Sequence, residues 1–302
     1  MPRAVLFPLV LLSAALSACH RESAAAAGPA PARIASVTLA TDEMLAHLVD
    51  PSRVVAVTTY ADDPSLSNAA GRYPESILRI AGADLEVVVA LEPDLLLVSE
   101  HNEADFLELV RRTGIPTLAV SAHRSFADVR RTYLELGRAV GEPARAAAVA
   151  EWMDAELAAL AAKLADLPRR PRVLYWAGGM SSGPRTTVGE LIERAGGRNV
   201  AAELGLEGSA EVATERAIAA DPDHVLVSVW SLAAAEGYTS LPAGFAGLAA
   251  VRGGRVIELP GRLLDCLSAH LVEGVWRLAA VLHPARIEAA DLARAAAGPP
   301  VR

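Results

Sequence analysis

The chain has 302 residues, long enough for two hydrophobic cores, and its formal net charge of -8 with 21% charged residues and no basic run argues against a nucleic-acid partner. Alanine swells the hydrophobic share to 52%, yet no apolar stretch reaches the roughly 20 residues that a membrane-spanning helix needs. The composition is that of a soluble globular protein, and the N-terminus adds that it is exported.

Residues 1–19 read as a targeting segment. Arg3 supplies a minimal positive region and Ala4 to Ala15 an apolar one. Leu16-Ser17-Ala18-Cys19 has the form of a lipobox, whose cysteine becomes the lipidated first residue of the mature protein. Cys19 is therefore expected to anchor the chain to a membrane; cleavage near Ala18 with Cys19 incidental is the alternative. Cys266 is then left without an internal disulfide partner and is expected to be a small buried apolar side chain. Residues 20–33, rich in Ala, Pro and Gly, form a flexible tether.

From residue 34 to 141 the pattern alternates strands and helices. Strands are expected at 34–37, 54–57, 95–98 and 117–120, and helices at 41–49 and 104–112, which predicts a parallel sheet with helices on both faces. Residues 60–83, with Tyr60, Asp62, Asp63, Asn68, Arg72 and Tyr73, are the irregular exception, and loops this long are usually functional or mobile. Residues 125–140 are amphipathic. After Gly141-Glu142-Pro143 a second helical pattern runs to Leu167; about 24 residues at 1.5 Å each reach about 36 Å, so 142–167 can join two lobes as one rigid helix.

A second α/β lobe is expected over 168–284. Strands fall at 172–176, 225–229 and 255–259, and helices at 187–195 and 268–282 before Pro284. Residues 285–302 read as a frayed tail. The fold class is thus α/β: two lobes, each a mainly parallel sheet flanked by helices, joined by one long α-helix.

One supersecondary unit occurs twice. Residues 85–99 return as 214–228, with Glu86 and Glu215, Glu92-Pro93-Asp94 and Asp221-Pro222-Asp223, and a terminal Ser at the same offsets. Proline ends each short helix, and a buried strand follows. Asp84 and Thr214 are expected N-caps, which sets Glu86 and Glu215 in a first helical turn, where the dipole and unpaired amides favour a carboxylate. Each alone reads as an ordinary helix acid; the pair reads as matched surface charges on two related halves.

This block, with Arg33-Ile34-Ala35-Ser36-Val37, the strand from Arg53 to Thr58, Gly114-Ile115-Pro116-Thr117 and residues 193–200, resembles the periplasmic binding proteins that deliver vitamin B12, haem and ferric siderophores to ABC importers. The resemblance runs from about Arg33 to Pro284. It implies a helical-backbone binding protein, a monomer, that docks Glu86 and Glu215 on arginines of a permease dimer. The implied ligand is a cobalamin-like corrinoid, haem or a ferric siderophore, carried as cargo and not as a cofactor. The protein is expected outside the cytoplasm, as a periplasmic or cell-surface lipoprotein, and not to be an enzyme. An Arg-rich step that the family often carries after the Asp at position 265 is replaced by Cys266-Leu267-Ser268-Ala269-His270, which leaves Asp265 as the family contact from that strand end.

Open α/β sheets bind ligands beyond the carboxyl ends of their strands. That rule selects Tyr60, His101, Trp176 and Trp230, each just past an apolar strand. The aromatic rings either carry a large flat ligand or act as lids over their own lobe's core; His101 is either a ligand contact or a solvated loop residue. Tyr73 and Tyr238 lie in irregular segments within reach of the same cleft. Ligation of haem iron would fall to Tyr60, Tyr73 or His101. No histidines share metal-ligand spacing, so no resident metal site is expected. The alternative function is a serine hydrolase using Gly179-Met180-Ser181-Ser182-Gly183. However, Pro184-Arg185 separates Ser181 from the next helix, where a nucleophile elbow would start the helix at once; a glycine-serine loop at a cleft edge fits better.

Overall fold

The computed structural model describes residues 29–82, 84–100, 102, 104–120, 124–229, 241–265 and 267–300. Cys19, His101, Trp230, Tyr238 and Cys266 lie outside the described residues.

The first lobe is a fully parallel sheet of β1 (Ile34–Ser36), β2 (Val54–Thr58), β3 (Leu78–Ile80), β4 (Leu95–Ser99) and β5 (Thr117–Val120), in the order β3-β2-β1-β4-β5. Helices α1 (Leu39–Leu48), α2 (Leu85–Ala90) and α3 (Ala104–Thr113) make the crossovers. β3 emerges from the stretch read as irregular: three residues flanked by turns are too few to show a period, and the strand becomes visible only through its pairing with β2.

Next come α4 (Phe126–Ala139) and the linker α5 (Pro143–Lys163), whose 21 residues give a rod of about 31 Å. The linker ends at Lys163, four residues short of the expected Leu167. Pro143 sits in its first turn, where a missing N–H costs nothing. Gly137 lets α4 and α5 close on each other, since a Cβ there would lie 2.2 Å from the Ala146 Cβ.

The second lobe contains β6 (Arg172–Tyr175), β7 (Met180–Ser182), α6 (Thr187–Arg194), β8 (Arg198–Asn199), α7 (Val200–Glu203), β9 (Ser209–Glu211), α8 (Thr214–Ala219), β10 (His224–Val229), α9 (Ala249–Arg252), β11 (Val256–Pro260), α10 (Gly261–Leu264) and α11 (Leu271–Leu282). Its parallel sheet runs β11-β10-β6-β8, and β7 and β9 pair antiparallel beside it. With β6 in the place of β1 and β10 in the place of β4, this order repeats that of the first lobe without an equivalent of β3. One apolar core runs continuously from Leu45 and Leu97 through Tyr133 and Met153 to Val173, Leu191 and Trp276, while the outer face of each sheet has its own cluster.

The repeated unit explains itself chemically. In the first lobe the Asp94 carboxylate accepts from the Ala32 and Arg33 N–H groups at 2.8 and 2.9 Å, fixing the start of β1. In the second, Asp223 accepts from the Arg172 N–H at 2.8 Å, fixing the start of β6. The arginine at each strand start reaches back: Arg33 Nε donates to the Glu92 carbonyl and Arg172 Nη1 to the Asp221 carbonyl. Glu92 and Asp221 themselves have φ of 45° and 42°, the left-handed turn that ends α2 and α8. Thr214 does not cap α8 as expected. Ala213 holds the cap position without a side-chain bond, so Glu215 occupies the second helical position, as Glu86 does after Asp84.

The segment expected as a frayed tail is ordered structure over its described residues, 285–300. α12 (Ala289–Ala296) carries a capping box between Glu288 and Asp291 and is pinned to the linker by Asp291–Lys163 at 2.9 Å and Arg294–Glu156 at 2.8 Å. The Arg294 guanidinium also lies 5.0 Å from the centre of the Trp276 ring.

Removing either repeated strand anchor, Asp94→Ala or Asp223→Ala, strands backbone donors at the head of a central strand and is expected to lower unfolding free energy by about 1 to 3 kcal/mol. Urea unfolding of both variants checks this; losses below about 0.5 kcal/mol in both would mean that the anchors are replaceable by water.

Candidate ligand-binding cleft

In a parallel sheet the strands all end on one side, and the segments after β5 and β11 bring residues of the two lobes to one place. A cavity of about 420 Å³ opens there, lined by Arg124 from the first lobe and by Ser182, Arg185, Thr186, Ser209 and Asp265 from the second. Asp265 forms its floor: one carboxylate oxygen accepts from Ser228 Oγ at 2.6 Å and the other from the Tyr175 hydroxyl at 3.2 Å. Burial pushes the Asp265 carboxyl up despite these two bonds, and burial followed by the nearby Asp265 charge pushes the Tyr175 hydroxyl up well beyond the ordinary phenol range. The side chains of Arg124 and Arg185 are exposed and make no hydrogen bond or ion pair among the described residues. A larger cavity, about 580 Å³, lies under the first lobe between Arg33, Asp50, Pro51 and Leu91. It sits at the amino ends of the strands, the wrong end for ligand capture in an open sheet, and its Arg33 is committed to backbone carbonyls.

Tyr60 is presented to solvent, 54% exposed, on a short 3-10 turn at Thr59–Asp62 directly after β2. That turn is braced by Arg79, which donates to both Asp62 carboxylate oxygens at 2.7 and 2.8 Å and to the carbonyls of Tyr73, Pro74 and Ile77. Tyr73 has the opposite fate. It is 5% exposed, its hydroxyl donates to the Asp42 carbonyl, and burial raises it well above the usual phenol range, so it belongs to the first lobe's core and not to a ligand surface.

Trp176 is likewise a correction: 2% exposed, it packs on Phe245 at 4.7 Å between ring centres in the outer core of the second lobe. Its place just past β6 left two directions open, and the ring turns back onto its own sheet. Ser181 is fully buried within β7, and its Oγ donates to the Tyr175 carbonyl at 2.7 Å. The Gly-x-Ser-x-Gly stretch is thus one edge of a small antiparallel pair and not a strand-to-helix elbow. Ser182, from the same stretch, does line the cleft. Among the described residues no three His, Cys, Asp or Glu side chains gather to hold a metal ion, and no helix is long and apolar enough to cross a membrane.

The floor between the lobes is a buried polar seam for which the sequence carried no signal. Glu43 on α1 accepts from the Asn68 N–H at 2.7 Å and from Ser268 Oγ across the lobes, while Asn68 Nδ2 donates to the Arg262 carbonyl at 2.7 Å and Asn68 Oδ1 accepts from the Arg262 guanidinium at 2.6 Å. Tyr133 of α4 accepts from the Ala269 N–H at 3.1 Å and pairs with His47 Nδ1 at 2.9 Å, with His270 stacked 5.1 Å from His47. Burial holds His47 well below its ordinary range, with His270 second; burial, then Arg262 and Arg72, push His270 down to about 4. Burial pushes Glu43 up, and Asp42, which accepts from Thr58 Oγ1 at 2.6 Å, up to about 7.

Asp42 makes the seam's pH dependence testable. With an ordinary value of 3.8 in the unfolded chain and about 7 when folded, the native state holds a proton that the unfolded state releases between those limits. Stability contributed by this group therefore rises as pH falls from about 7 to about 4. The difference in unfolding free energy between wild type and Asp42→Asn should shift in favour of wild type over that window, measured by urea titration at pH 7.5 and 4.5; a shift the other way would contradict the assignment.

Two parallel α/β lobes hinged on a helix, with a polar cleft at the converging strand ends, define a solute-binding protein of the two-lobed kind. Residues 34–263 match the periplasmic binding protein family, and the chain belongs to it. It is 31% identical over 202 residues to a cobalamin-binding protein of Halobacterium salinarum, 66% of this chain and 54% of that protein, so it spans about half the length of that relative. It is 23% identical over 273 residues to an uncharacterised ABC transporter substrate-binding lipoprotein of Bacillus subtilis, 84% of this chain and 81% of that one. Among solved structures it is similar to a periplasmic heme-binding protein from Pseudomonas aeruginosa, with a TM-score of 0.72, 26% identity, and coverage of 85% of this chain and 94% of the other.

Proposed function

We propose that the protein captures a metal chelate in the cleft between its lobes and delivers it to an ABC permease. A cobalamin-like corrinoid is the first candidate, with haem or a ferric siderophore as the other members of the class. The observation that carries this reading is the cavity at the converging strand ends, floored by Asp265 and lined from both lobes. The cobalamin-binding and heme-binding relatives support the ligand class. On this reading Tyr60 and Asp265 contact the ligand, joined by His101, Trp230 and Tyr238, which follow β4 and β10 in the chain. Cys19 holds the protein to the membrane as an exported lipoprotein, a role that the lipoprotein relative supports.

Docking falls to Glu86 and Glu215. Each is exposed at the second position of a short helix, at equivalent points of the two lobes, and neither has a side-chain partner among the described residues. Paired charges on pseudo-symmetric lobes suit a partner made of two like subunits.

Incubating the purified protein with cyanocobalamin, haemin or a ferric siderophore, desalting it and reading the visible spectrum tests the ligand class. One chelate should be retained, with a Kd of about 1 µM or tighter; retention of none would sink the reading. Glu86→Ala and Glu215→Ala should each weaken docking to permease-containing membranes, the double variant more, with ligand affinity near wild type, since rim charges act mainly on association and orientation. Normal docking by the double variant would reduce both residues to helix acids.

A further inference from the structure

We propose that Arg124 and Arg185 form an anion clamp across the mouth of the cleft, so that the cargo is a chelate bearing a carboxylate or phosphate group. This rests on the chelate reading and narrows it. The two arginines come from opposite lobes, Arg124 from the segment between β5 and α4 and Arg185 from the segment between β7 and α6, yet both line one cavity.

Most arginines of this acidic chain are engaged, as Arg53 is with Glu142, Arg172 with Glu203 and Arg194 with Glu190, whereas among the described residues the guanidinium groups of Arg124 and Arg185 are not. The acid next to Arg124 is already engaged. Asp128 accepts from the Arg124 backbone N–H at 2.9 Å with one oxygen and from Arg131 at 2.7 Å with the other, so it does not hold the Arg124 guanidinium. The one carboxylate lining the cavity, Asp265, has each oxygen occupied by a hydroxyl.

Two forks of N–H donors therefore line a shared space, and among the described residues no carboxylate holds either of them. A guanidinium presents paired donors that match the planar oxygens of a carboxylate or phosphate, and such charge-assisted pairs are the stronger class of hydrogen bond. The small hydroxyls of Ser182, Thr186 and Ser209 surround the same space and can donate to or accept from a ligand without crowding it. A neutral or cationic ligand would leave two like charges confined in a cleft; an anionic group bridging them would neutralise both and tie one lobe to the other. A phosphodiester on a corrinoid and propionates on a porphyrin supply the same chemistry from different sources.

The test compares each parent chelate with its stripped form: cyanocobalamin against dicyanocobinamide, which lacks the phosphodiester, and haemin against its dimethyl ester. Affinities are measured by tryptophan quenching at low and high salt for wild type, Arg124→Gln, Arg185→Gln and the double variant. Whichever parent binds should lose about 10- to 100-fold in affinity in the double variant, while the stripped form binds wild type and variant alike. Wild type should itself prefer the parent, and that preference should shrink at high salt. Equal binding of parent and stripped forms to wild type, or equal loss of both in the variant, would overturn the clamp while leaving the chelate reading intact. Binding of none of the four, nor of a ferric siderophore, to folded wild type would overturn the chelate reading and the clamp together. Should the glutamine variants fold poorly, Arg124→Lys with Arg185→Lys keeps the charge and loses the fork; its parent-ligand affinity should fall between wild type and loss, and a wild-type value would contradict the clamp.

Discussion

The Glu43 carboxylate is the interaction on which the arrangement of the cleft depends. It sits buried at the lobe junction, joined to the Asn68 backbone on its own side and to Ser268 on the other, with Asn68 extending the bridge to Arg262. A buried carboxylate is costly unless its oxygens are satisfied; Asn68 reaches both from Glu43's own lobe, and the bond from Ser268 adds the tie across the junction. The seam therefore acts on orientation.

Two further layers keep that geometry stiff. The linker α5 is held at both ends: Arg145 near its start donates to the Leu48 carbonyl of α1, and Glu156 and Lys163 farther along are paired to α12. Alongside it α4 supplies Tyr133 to the seam and Phe126 to the second lobe, where the Phe126 N–H donates to Glu190 at 2.8 Å. A continuous apolar core links the inner faces of both sheets through these two helices. Motion between the lobes then has to be small, since opening would expose that core and strand buried polar groups. The helices that carry Glu86 and Glu215 lead directly into β4 and β10, central strands of the two sheets, so the two carboxylates ride on this stiff body.

Much of this was legible in the sequence because it rests on local chemistry. Acid-Pro-Asp recurs because each lobe solves the same problem, ending a short helix in a left-handed residue and anchoring its first strand with the following Asp, so the two copies look alike in one dimension. The parallel sheets, the linker and the twin glutamates follow from that pattern. What was hidden depends on distance along the chain. Glu43 and Ser268 are 225 residues apart and carry no shared signature. Arg124 and Arg185 are single arginines among many, distinguished only by the cavity they share. Trp176 misled because the end of a strand fixes where a side chain starts and not which way it turns; the ring closes over Phe245. α12 was masked by its alanine-rich sequence after Pro284, and its place is decided by ion pairs to Glu156 and Lys163.

The central claim, that the space between the lobes is the ligand site, is tested most directly by crystals grown with cyanocobalamin and with haemin and measured at the cobalt and iron absorption edges. The account predicts a single anomalous peak in the cleft between Tyr60, Arg124 and Asp265. A metal peak in the cavity beneath the first lobe, beside Arg33 and Leu91, with the cleft empty, would contradict it.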